Sequence, residues 1–264
     1  MKIGLGQLDI VWENKRENKI KCEKMIKEAK EKGVDFIIFP EMTLTGFSMN
    51  TDFIAEIKEE SESLQFFKKQ AKENNIAIGF GIVFKGVGKK ANNNFIIVNE
   101  NGEEICDYTK IHPFSFGEEE RHYKKGNKLS DCIIKGTRVS PLICYDLRFP
   151  EVFQVCSNKS ELIVVIANWP HQRRAHWFTL LKARAIENQC FIAGINRCGF
   201  ENGVQYMGDS MIVDPYGEII TRPSDKEGII IKDIDTSIAY QYRNEFKLKE
   251  DRRVKFYVEM YSKK

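Results

Sequence analysis

Short apolar segments alternate with amphipathic helical segments along most of this chain, and that alternation restricts the possible folds more than any other feature. The segments 34–39 and 161–167 are almost continuously apolar, which is typical of strands buried on both faces. The segment 14–32 instead spaces its apolar residues at helical intervals and ends at Gly33, and 173–189 forms a second strong helix pattern. Strands buried on both faces need covering layers, so we predict an α/β fold with helices on the outer faces of sheets.

The rest of the pattern predicts hairpins and one long polar loop within a single domain. Asn101-Gly102 and Pro215-Tyr216-Gly217 are turn sequences that join neighbouring strands. The polar segment 110–126 is irregular, and loops of this length in compact domains tend to be functional. No linker rich in Pro, Gly or Ser and no repeat divides the 264 residues. Further strands are predicted at 2–9, 76–84, 91–99, 103–108, 132–134, 137–144, 190–196, 209–214, 218–221 and 228–234, and further helices at 61–74 and after Pro150.

Charge and cysteine content exclude several classes of function. Lys plus Arg total 41 against 38 Asp plus Glu, so the net charge of +3 gives no reason to expect nucleic acid or an anionic membrane as partner. We expect no signal peptide and no membrane span, because the apolar runs are far shorter than the roughly 18 residues that a span needs. The seven cysteines show no zinc-ligand spacing. These observations predict a cytoplasmic protein with free thiols, no metal and no cofactor.

Three residues with different chemistry follow three predicted strands. Glu41 comes after 34–39 and Pro40, Lys110 follows the strand that ends at Thr109, and Cys144 ends the strand pattern 137–144. Sites in α/β proteins assemble at the carboxyl ends of strands, so we expect these side chains to meet. A thiol nucleophile, a carboxylate base and a cation that stabilises an oxyanion suit attack on an amide carbonyl, release of ammonia and hydrolysis of the thioester.

Taken singly, Glu41, Lys110 and Cys144 each have an ordinary structural explanation. The sequence motifs around them are not explained in that way. A lone Cys after a strand is usually core, and a Lys in a loop is usually solvated. The motifs resemble the three signature blocks of the nitrilase (carbon–nitrogen hydrolase) superfamily, and the resemblance runs from the first strand to about Ile234. The blocks are Phe39-Pro40-Glu41-Met42, Tyr108-Thr109-Lys110-Ile111-His112-Pro113-Phe114 and Leu142-Ile143-Cys144-Tyr145-Asp146-Leu147-Arg148-Phe149-Pro150-Glu151.

The resemblance implies a fold, an assembly and a domain division. Members of this superfamily adopt an αββα sandwich and usually form homodimers. We therefore expect a carbon–nitrogen hydrolase domain over residues 1–240. Residues 241–264 are expected to form a C-terminal extension that contributes to a dimer interface.

The resemblance also implies roles for individual residues. Glu41 corresponds to the general base, Lys110 to the oxyanion-stabilising cation and Cys144 to the nucleophile, and the backbone N–H of Tyr145 to the second oxyanion donor. The family has a further glutamate in the loop after the lysine. Glu118, Glu119 and Glu120 are the candidates here, and the spacing to Gly126 best matches Glu119. The alternative for this acidic run is a solvated loop.

Several further residues are candidates for binding the substrate or supporting the nucleophile. Trp169 follows a predicted strand end and is expected in the pocket, although a core position is the competing interpretation. Arg173, Arg174 and His176 open a helix whose N-terminal N–H groups favour an anion, so an acidic substrate tail is expected there. Asp146 and Arg148 are expected to pair and to brace the turn that holds Cys144.

The sequence Cys144-Tyr145-Asp146-Leu147-Arg148-Phe149-Pro150, followed by Asn168-Trp169-Pro170, resembles the omega-amidase (Nit-type, 2-oxoglutaramate amidase) branch. The implied substrates are small amides, the ω-monoamides of short dicarboxylates such as 2-oxoglutaramate and 2-oxosuccinamate. Alternatives within the superfamily are a deaminated glutathione amidase, an N-carbamoyl amidohydrolase or an aliphatic amidase. Two other classes stay open: a catalytically silent interaction module, and a papain-like hydrolase whose base is His112, His122, His171 or His176.

Overall fold

A computed structural model describes residues 1–263 of the chain as two β-sheets packed face to face, with helices on both outer faces. The helices are α1 Lys15–Glu31, α2 Thr51–Ile54, α3 Glu62–Asn74, α4 Glu119–His122, α5 Pro150–Cys156, α6 Arg174–Asn188, α7 Ser237–Glu245 and α8 Val254–Ser262. The strands are β1 Lys2–Gln7, β2 Phe36–Ile38, β3 Ala77–Lys85, β4 Ala91–Val98, β5 Glu104–Thr109, β6 Cys132–Ile134, β7 Thr137–Ile143, β8 Leu162–Ala167, β9 Phe191–Asn196, β10 Cys198–Glu201, β11 Val204–Met207, β12 Met211–Val213 and β13 Gly228–Asp233.

Strand order places the predicted reactive segments in two different sheets. One sheet has six strands in the order β13-β1-β2-β3-β4-β5, and the other has five in the order β12-β9-β8-β7-β6. β1, β2 and β3 are parallel neighbours, as are β7, β8 and β9. β10 and β11 form a separate two-stranded hairpin.

Two apolar clusters hold the layers together. One joins the inner faces of the two sheets, so that Phe95 of the first sheet and Leu142 of the second belong to the same buried core. The other lies between the six-stranded sheet and helices α1 and α3, with Met25 and Phe67 among its members. Trp177 of α6 covers the outer side of the second sheet. The four layers confirm the predicted α/β fold of the αββα type as a single domain.

Helices α1 and α3 begin where local chemistry predicted them. The Asn14 side chain accepts a hydrogen bond from the backbone N–H of Glu17, and the Ser61 hydroxyl accepts one from Leu64 at 3.0 Å. Each cap satisfies a backbone donor that the first turn leaves unpaired. Gly33 has φ +67°, the left-handed conformation that ends helices.

Other parts of the pattern were interpreted wrongly. The predicted strand 218–221 is reduced to one bridge between Ile219 and Val213, because the Thr221 hydroxyl, instead of a backbone carbonyl, accepts the hydrogen bond from Ile212. The polar segment 110–126 contains the short helix α4. Its four residues are too few to show a helical periodicity in the sequence. Neither the β10–β11 hairpin nor helices α7 and α8 were predicted.

The C-terminal segment begins within a helix that packs on the domain. Helix α7 runs through the predicted boundary at residue 240, with Ala239 buried and the Arg243 guanidinium donating to the carbonyls of Ser160 and Gln189. The division at 240 stays a prediction, and Lys264 lies outside the described residues. Within residues 1–263, no helix is long and apolar enough to cross a membrane. The same part of the chain contains no group of three or more His, Cys, Asp or Glu side chains that could hold a metal ion.

Candidate active site

The structure brings Glu41, Lys110 and Cys144 together at one end of the sandwich. Glu41 lies in the turn after β2, Lys110 directly follows β5, and Cys144 directly follows β7. Cys144 has φ +45°, in the left-handed region that residues with a side chain rarely adopt. Such strained conformations persist only where the surroundings enforce them, and they concentrate at functional sites.

Lys110 forms a buried ion cluster with two glutamates. Its Nζ lies 2.8 Å from Glu41 Oε1, 2.9 Å from Glu119 Oε2 and 3.1 Å from Glu119 Oε1. The side chains of all three residues are at most 1% exposed. Glu118 and Glu120 are exposed, so the structure places only Glu119 of the three loop glutamates in this cluster. Helix α4 achieves this because Glu119 is its first residue and faces inward.

Burial and charge determine the protonation of this cluster. Desolvation disfavours the charge of Lys110, but the carboxylates of Glu119 and Glu41 outweigh it and raise the lysine pKa well above its usual value. Burial raises the pKa of Glu119, an effect that Lys110 opposes. Burial also raises the pKa of the Cys144 thiol, and the neighbouring Glu41 charge adds to this. The resting site therefore holds an ammonium and a protonated thiol, which needs a base before it can attack.

Two asparagines that sequence reasoning missed hold the Glu41 carboxylate. Asn93 Nδ2 donates to Glu41 Oε1 at 2.8 Å, and the backbone N–H of Asn168 donates to Glu41 Oε2 at 3.0 Å. Asn168 Nδ2 also donates to the Glu41 carbonyl at 2.7 Å. A signal for both existed in the sequence, because Asn93 interrupts an apolar strand with a polar run and Asn168 directly follows strand β8.

A cavity of about 170 Å³ opens onto Cys144 and Lys110. Its walls include five aromatic side chains and two guanidinium groups, and none of the four histidines lines it. The other lining residues are Phe47, Phe114, Tyr145, Arg148, Asn168, Trp169, Pro170, Arg173, Val204 and Tyr206. Trp169 and Arg173 both line the cavity, and Trp169 is also buried in the core, so the two positions considered for it coincide. The cavity offers no histidine to act as base for a papain-like mechanism.

The two cavity arginines rest on aromatic rings. The Arg148 guanidinium lies 4.9 Å from the Trp169 ring centroid, and the Arg173 guanidinium lies 5.3 Å from that of Phe114. Within residues 1–263, neither guanidinium forms an ion pair with a carboxylate. His176 is exposed and lies outside the cavity lining, where its Nδ1 is 3.2 Å from Arg148 Nη2. The expectation that His176 binds substrate directly therefore has no geometric support.

The expected pair between Asp146 and Arg148 is wrong. The buried Asp146 carboxylate accepts hydrogen bonds from the backbone N–H of Ile143 and of His112, both at 3.0 Å, and from the Tyr108 hydroxyl at 2.7 Å. Arg148 lines the cavity instead. Its guanidinium lies over the Trp169 ring, and its charge stays accessible to a ligand. Asp146 still braces the turn that holds Cys144, because its carboxylate connects this turn to the segment around Lys110.

An αββα sandwich with a thiol, an ammonium and two buried carboxylates defines the class of hydrolases that attack carbonyl groups through cysteine. The model of the carbon-nitrogen hydrolase family matches residues 2–244. The chain is 34% identical to the 2-oxoglutaramate amidase of Bacillus subtilis, over 95% of this chain and 97% of that protein. It is 35% identical to the omega-amidase YafV of Escherichia coli, over 95% of this chain and 96% of that protein.

Solved structures agree with the sequence comparisons. The structure of XC1258 from Xanthomonas campestris, a CN-hydrolase superfamily protein with an arsenic adduct in the active site, superposes with a TM-score of 0.89 at 28% identity. That match covers 96% of this chain and 97% of the other. The chain belongs to the carbon–nitrogen hydrolase family and is a hydrolase that acts on amide C–N bonds. A catalytically silent module and a papain-like hydrolase are not favoured.

Proposed function

We propose that this enzyme is an omega-amidase, which hydrolyses the ω-amide of short dicarboxylate monoamides such as 2-oxoglutaramate and 2-oxosuccinamate. The observation that carries the proposal is the pair of guanidinium groups, Arg148 and Arg173, that line the same small cavity as Cys144 without a carboxylate partner within residues 1–263. Relatives named 2-oxoglutaramate amidase and omega-amidase support it.

The cavity favours a short substrate with an anionic end. At about 170 Å³ it is smaller than the roughly 300–1,000 Å³ typical of sites for larger ligands. A carboxylate bound to Arg148 or Arg173 gains charge-assisted hydrogen bonds from a planar donor that suits its geometry. Because one end of the substrate is fixed there, the amide at the other end is presented to Cys144. A neutral aliphatic amide lacks this second contact.

Acylation begins with proton transfer from Cys144 to Glu41. Since the thiol pKa is raised, the thiolate forms only as it attacks the amide carbonyl carbon. The negative oxygen that results is stabilised by the Lys110 ammonium and by the backbone N–H of Tyr145, at the start of the short 3₁₀ helix Cys144–Arg148. Glu41 then gives its proton to the nitrogen, ammonia leaves, and a thioester remains.

Deacylation uses the same groups in reverse. Glu41 takes a proton from a water molecule, which attacks the thioester carbonyl, and Lys110 again stabilises the oxyanion. Collapse of this intermediate returns the proton to the sulfur of Cys144 and releases the dicarboxylate. The role of Glu119 is to fix Lys110 through its two contacts, so that the ammonium stays directed at the reacting oxygen.

A side-by-side assay of ammonia release tests the substrate. The panel is 2-oxoglutaramate, 2-oxosuccinamate, glutamine, deaminated glutathione, an N-carbamoyl amino acid, a neutral aliphatic amide and a nitrile. We expect the highest kcat/KM for one of the two oxo-acid monoamides. A higher value for deaminated glutathione, the carbamoyl compound or the neutral amide would assign the enzyme to another activity of the family.

We further propose that the protein is cytoplasmic and forms a homodimer to which residues 241–264 contribute. Helix α8 has no buried residue and exposes a row of large apolar side chains, among them Val254, Phe256, Tyr257, Val258 and Met260. A second copy covering this row would remove apolar area from water. Light scattering after size-exclusion chromatography should give a dimer mass for the full chain and a monomer mass after truncation at residue 250. A monomeric full chain contradicts the assembly.

A further inference from the structure

Asn93 of strand β4 contacts every charged member of the buried cluster, and it is fully buried. Its Nδ2 lies 2.8 Å from Glu41 Oε1 and 3.1 Å from Glu119 Oε1. Its backbone carbonyl accepts the N–H of Lys110 at 2.9 Å. The amide oxygen Oδ1 has no hydrogen-bond partner within the described residues. Within the described residues, the hydrogen bonds of this side chain are therefore all made by its amide nitrogen, which lies between two carboxylates.

Two carboxylates around one ammonium carry an excess negative charge that a buried site accommodates poorly. A like charge nearby and desolvation both favour uptake of a proton by a carboxylate, whereas hydrogen bonds to the ionised form oppose it. Lys110 cannot serve both carboxylates fully while it also stabilises an oxyanion. The Asn93 amide supplies a neutral donor to each carboxylate, and it adds no charge that would compete with the oxyanion for the lysine.

We propose that Asn93 is a positioning residue that holds the Glu41 carboxylate next to that of Glu119, in the orientation in which Glu41 can take the proton of Cys144. The proposal rests on the function proposed above, in which Glu41 is the base for Cys144. Removal of the Asn93 donor takes away one of the contacts that orient the Glu41 carboxylate, so Glu41 becomes a less effective base for Cys144. It leaves the substrate carboxylate contacts untouched, because Asn93 does not line the cavity.

Two backbone N–H groups also donate to these carboxylates, that of Asn168 to Glu41 Oε2 at 3.0 Å and that of Phe114 to Glu119 Oε2 at 2.6 Å, but each serves only one of them. Lys110 and Cys144 are part of the reaction, and their pKa values are raised by the surroundings. The Tyr123 phenol is also near, but burial raises its pKa and its hydroxyl already donates to the Ser48 carbonyl at 2.5 Å. It stays neutral over the whole working range of pH. Within the described residues, the neutral side chain that donates to both carboxylates is therefore that of Asn93.

The neighbouring Asn94 provides a matched control. It lies on the same strand, is 4% exposed, and donates through Nδ2 to Asp107 at 2.6 Å and to Thr109 at 3.1 Å. Its Oδ1 is also without a partner in the described chain. Asn93→Leu and Asn94→Leu thus remove the same kind of side chain, with the same number of donor contacts, from two faces of β4. Only the first contacts the cluster.

The experiment measures the rate of alkylation of Cys144 by iodoacetamide at pH 7, with the site identified by peptide mass. This readout needs no knowledge of the substrate. We expect Asn93→Leu to lower the alkylation rate by about tenfold, because the base that takes the thiol proton is no longer held in place. With 2-oxoglutaramate, kcat should fall by about tenfold or more at pH 7, and KM should change little. Asn94→Leu should keep the wild-type alkylation rate and kcat.

Glu41→Gln separates failure of this inference from failure of the proposed function. If Glu41→Gln lowers the alkylation rate and folded Asn93→Leu keeps the wild-type rate, the inference about Asn93 is overturned and the base assignment stands. If Glu41→Gln keeps the wild-type rate, the base assignment fails and the inference fails with it. Circular dichroism checks each fold. Asn93→Ser, whose hydroxyl is too short to reach both carboxylates, is expected to lower the alkylation rate as well and takes the place of the leucine variant if that variant does not fold.

Discussion

Replacing Lys110 by methionine tests whether the buried cluster depends on its one positive charge. Methionine keeps much of the length and apolar character of the lysine stem but has no ammonium. The change leaves Glu41 and Glu119, neither of which is exposed, without the cation that lies 2.8 and 2.9 Å from their oxygens. We expect a large loss of stability at neutral and alkaline pH.

The magnitude follows from the burial of the cluster. Removing one member of a buried ion pair costs about 3–5 kcal/mol, because the remaining charge stays desolvated and unpaired. Two carboxylates share Lys110, so we expect the upper part of this range at pH 8. In a domain of this size, about 1 kcal/mol changes Tm by 2–4 °C, which predicts a decrease of roughly 10–15 °C.

The loss should depend on pH in a definite direction. Burial already raises the pKa of Glu119, and removal of the lysine charge raises it further. A carboxyl whose pKa is higher in the folded than in the unfolded state stabilises the fold below its unfolded pKa, and it loses that contribution as the pH rises through the folded pKa. The difference in Tm between wild type and Lys110→Met should therefore be small near pH 4.5 and should widen up to pH 8.

Lys58 provides a control with the same arrangement at the surface. Its Nζ lies 2.7 Å from Glu104 and 2.6 Å from Asp107, but the Lys58 side chain is 35% exposed. Solvent screens such pairs, and exposed ion pairs contribute about 0–1 kcal/mol. Lys58→Met should therefore change the free energy of unfolding little at either pH. Thermal denaturation followed by circular dichroism measures both variants. An equal loss in both, or a Lys110→Met loss that does not vary between pH 5 and 8, would refute the reasoning.

Three other substitutions test the proposed mechanism directly. Cys144→Ala should eliminate turnover and leave the fold intact; ammonia release above a few per cent of wild type contradicts its role as nucleophile. Lys110→Ala should lower kcat by about 10²-fold or more through loss of the oxyanion contact, and a rise in KM alone would make Lys110 a binding residue. Arg173→Met should raise KM for 2-oxoglutaramate by about tenfold while leaving hydrolysis of a neutral amide unchanged, and equal effects on both substrates would exclude a carboxylate contact.

The parts of the fold that were predictable depend on local chemistry. Helices α1 and α3 were found because periodic apolar residues and capping side chains lie within a few positions of each other along the chain. The convergence of Glu41, Lys110 and Cys144 was predicted because sites in α/β proteins assemble at the carboxyl ends of strands, although the sequence did not reveal that these strands belong to two different sheets. The family motifs added the roles of these residues, which spacing by itself does not give.

The parts that were missed depend on contacts between distant segments. Asn93 and Glu41 are 52 positions apart in the chain, and the Asn168 contacts with Glu41 span 127 positions. A buried asparagine in a strand is unusual, but the identity of its partner is fixed only when the sheets pack. Arg148 was assigned to Asp146 for the same reason, since the nearby carboxylate was visible in the sequence and the stacking on Trp169 was not.

The site is assembled across the seam between the two sheets, and this explains where the polar residues lie. Glu41 and Lys110 follow strands of the six-stranded sheet, whereas Cys144 and Asn168 follow strands of the five-stranded sheet. Apolar packing elsewhere along the seam is not directional, so it fixes the distance between sheets better than their register. Hydrogen bonds are directional, and those from Asn168 to Glu41 and from Tyr108 to Asp146 cross the seam at the site. The buried polar residues therefore align the nucleophile of one sheet with the base and the cation of the other.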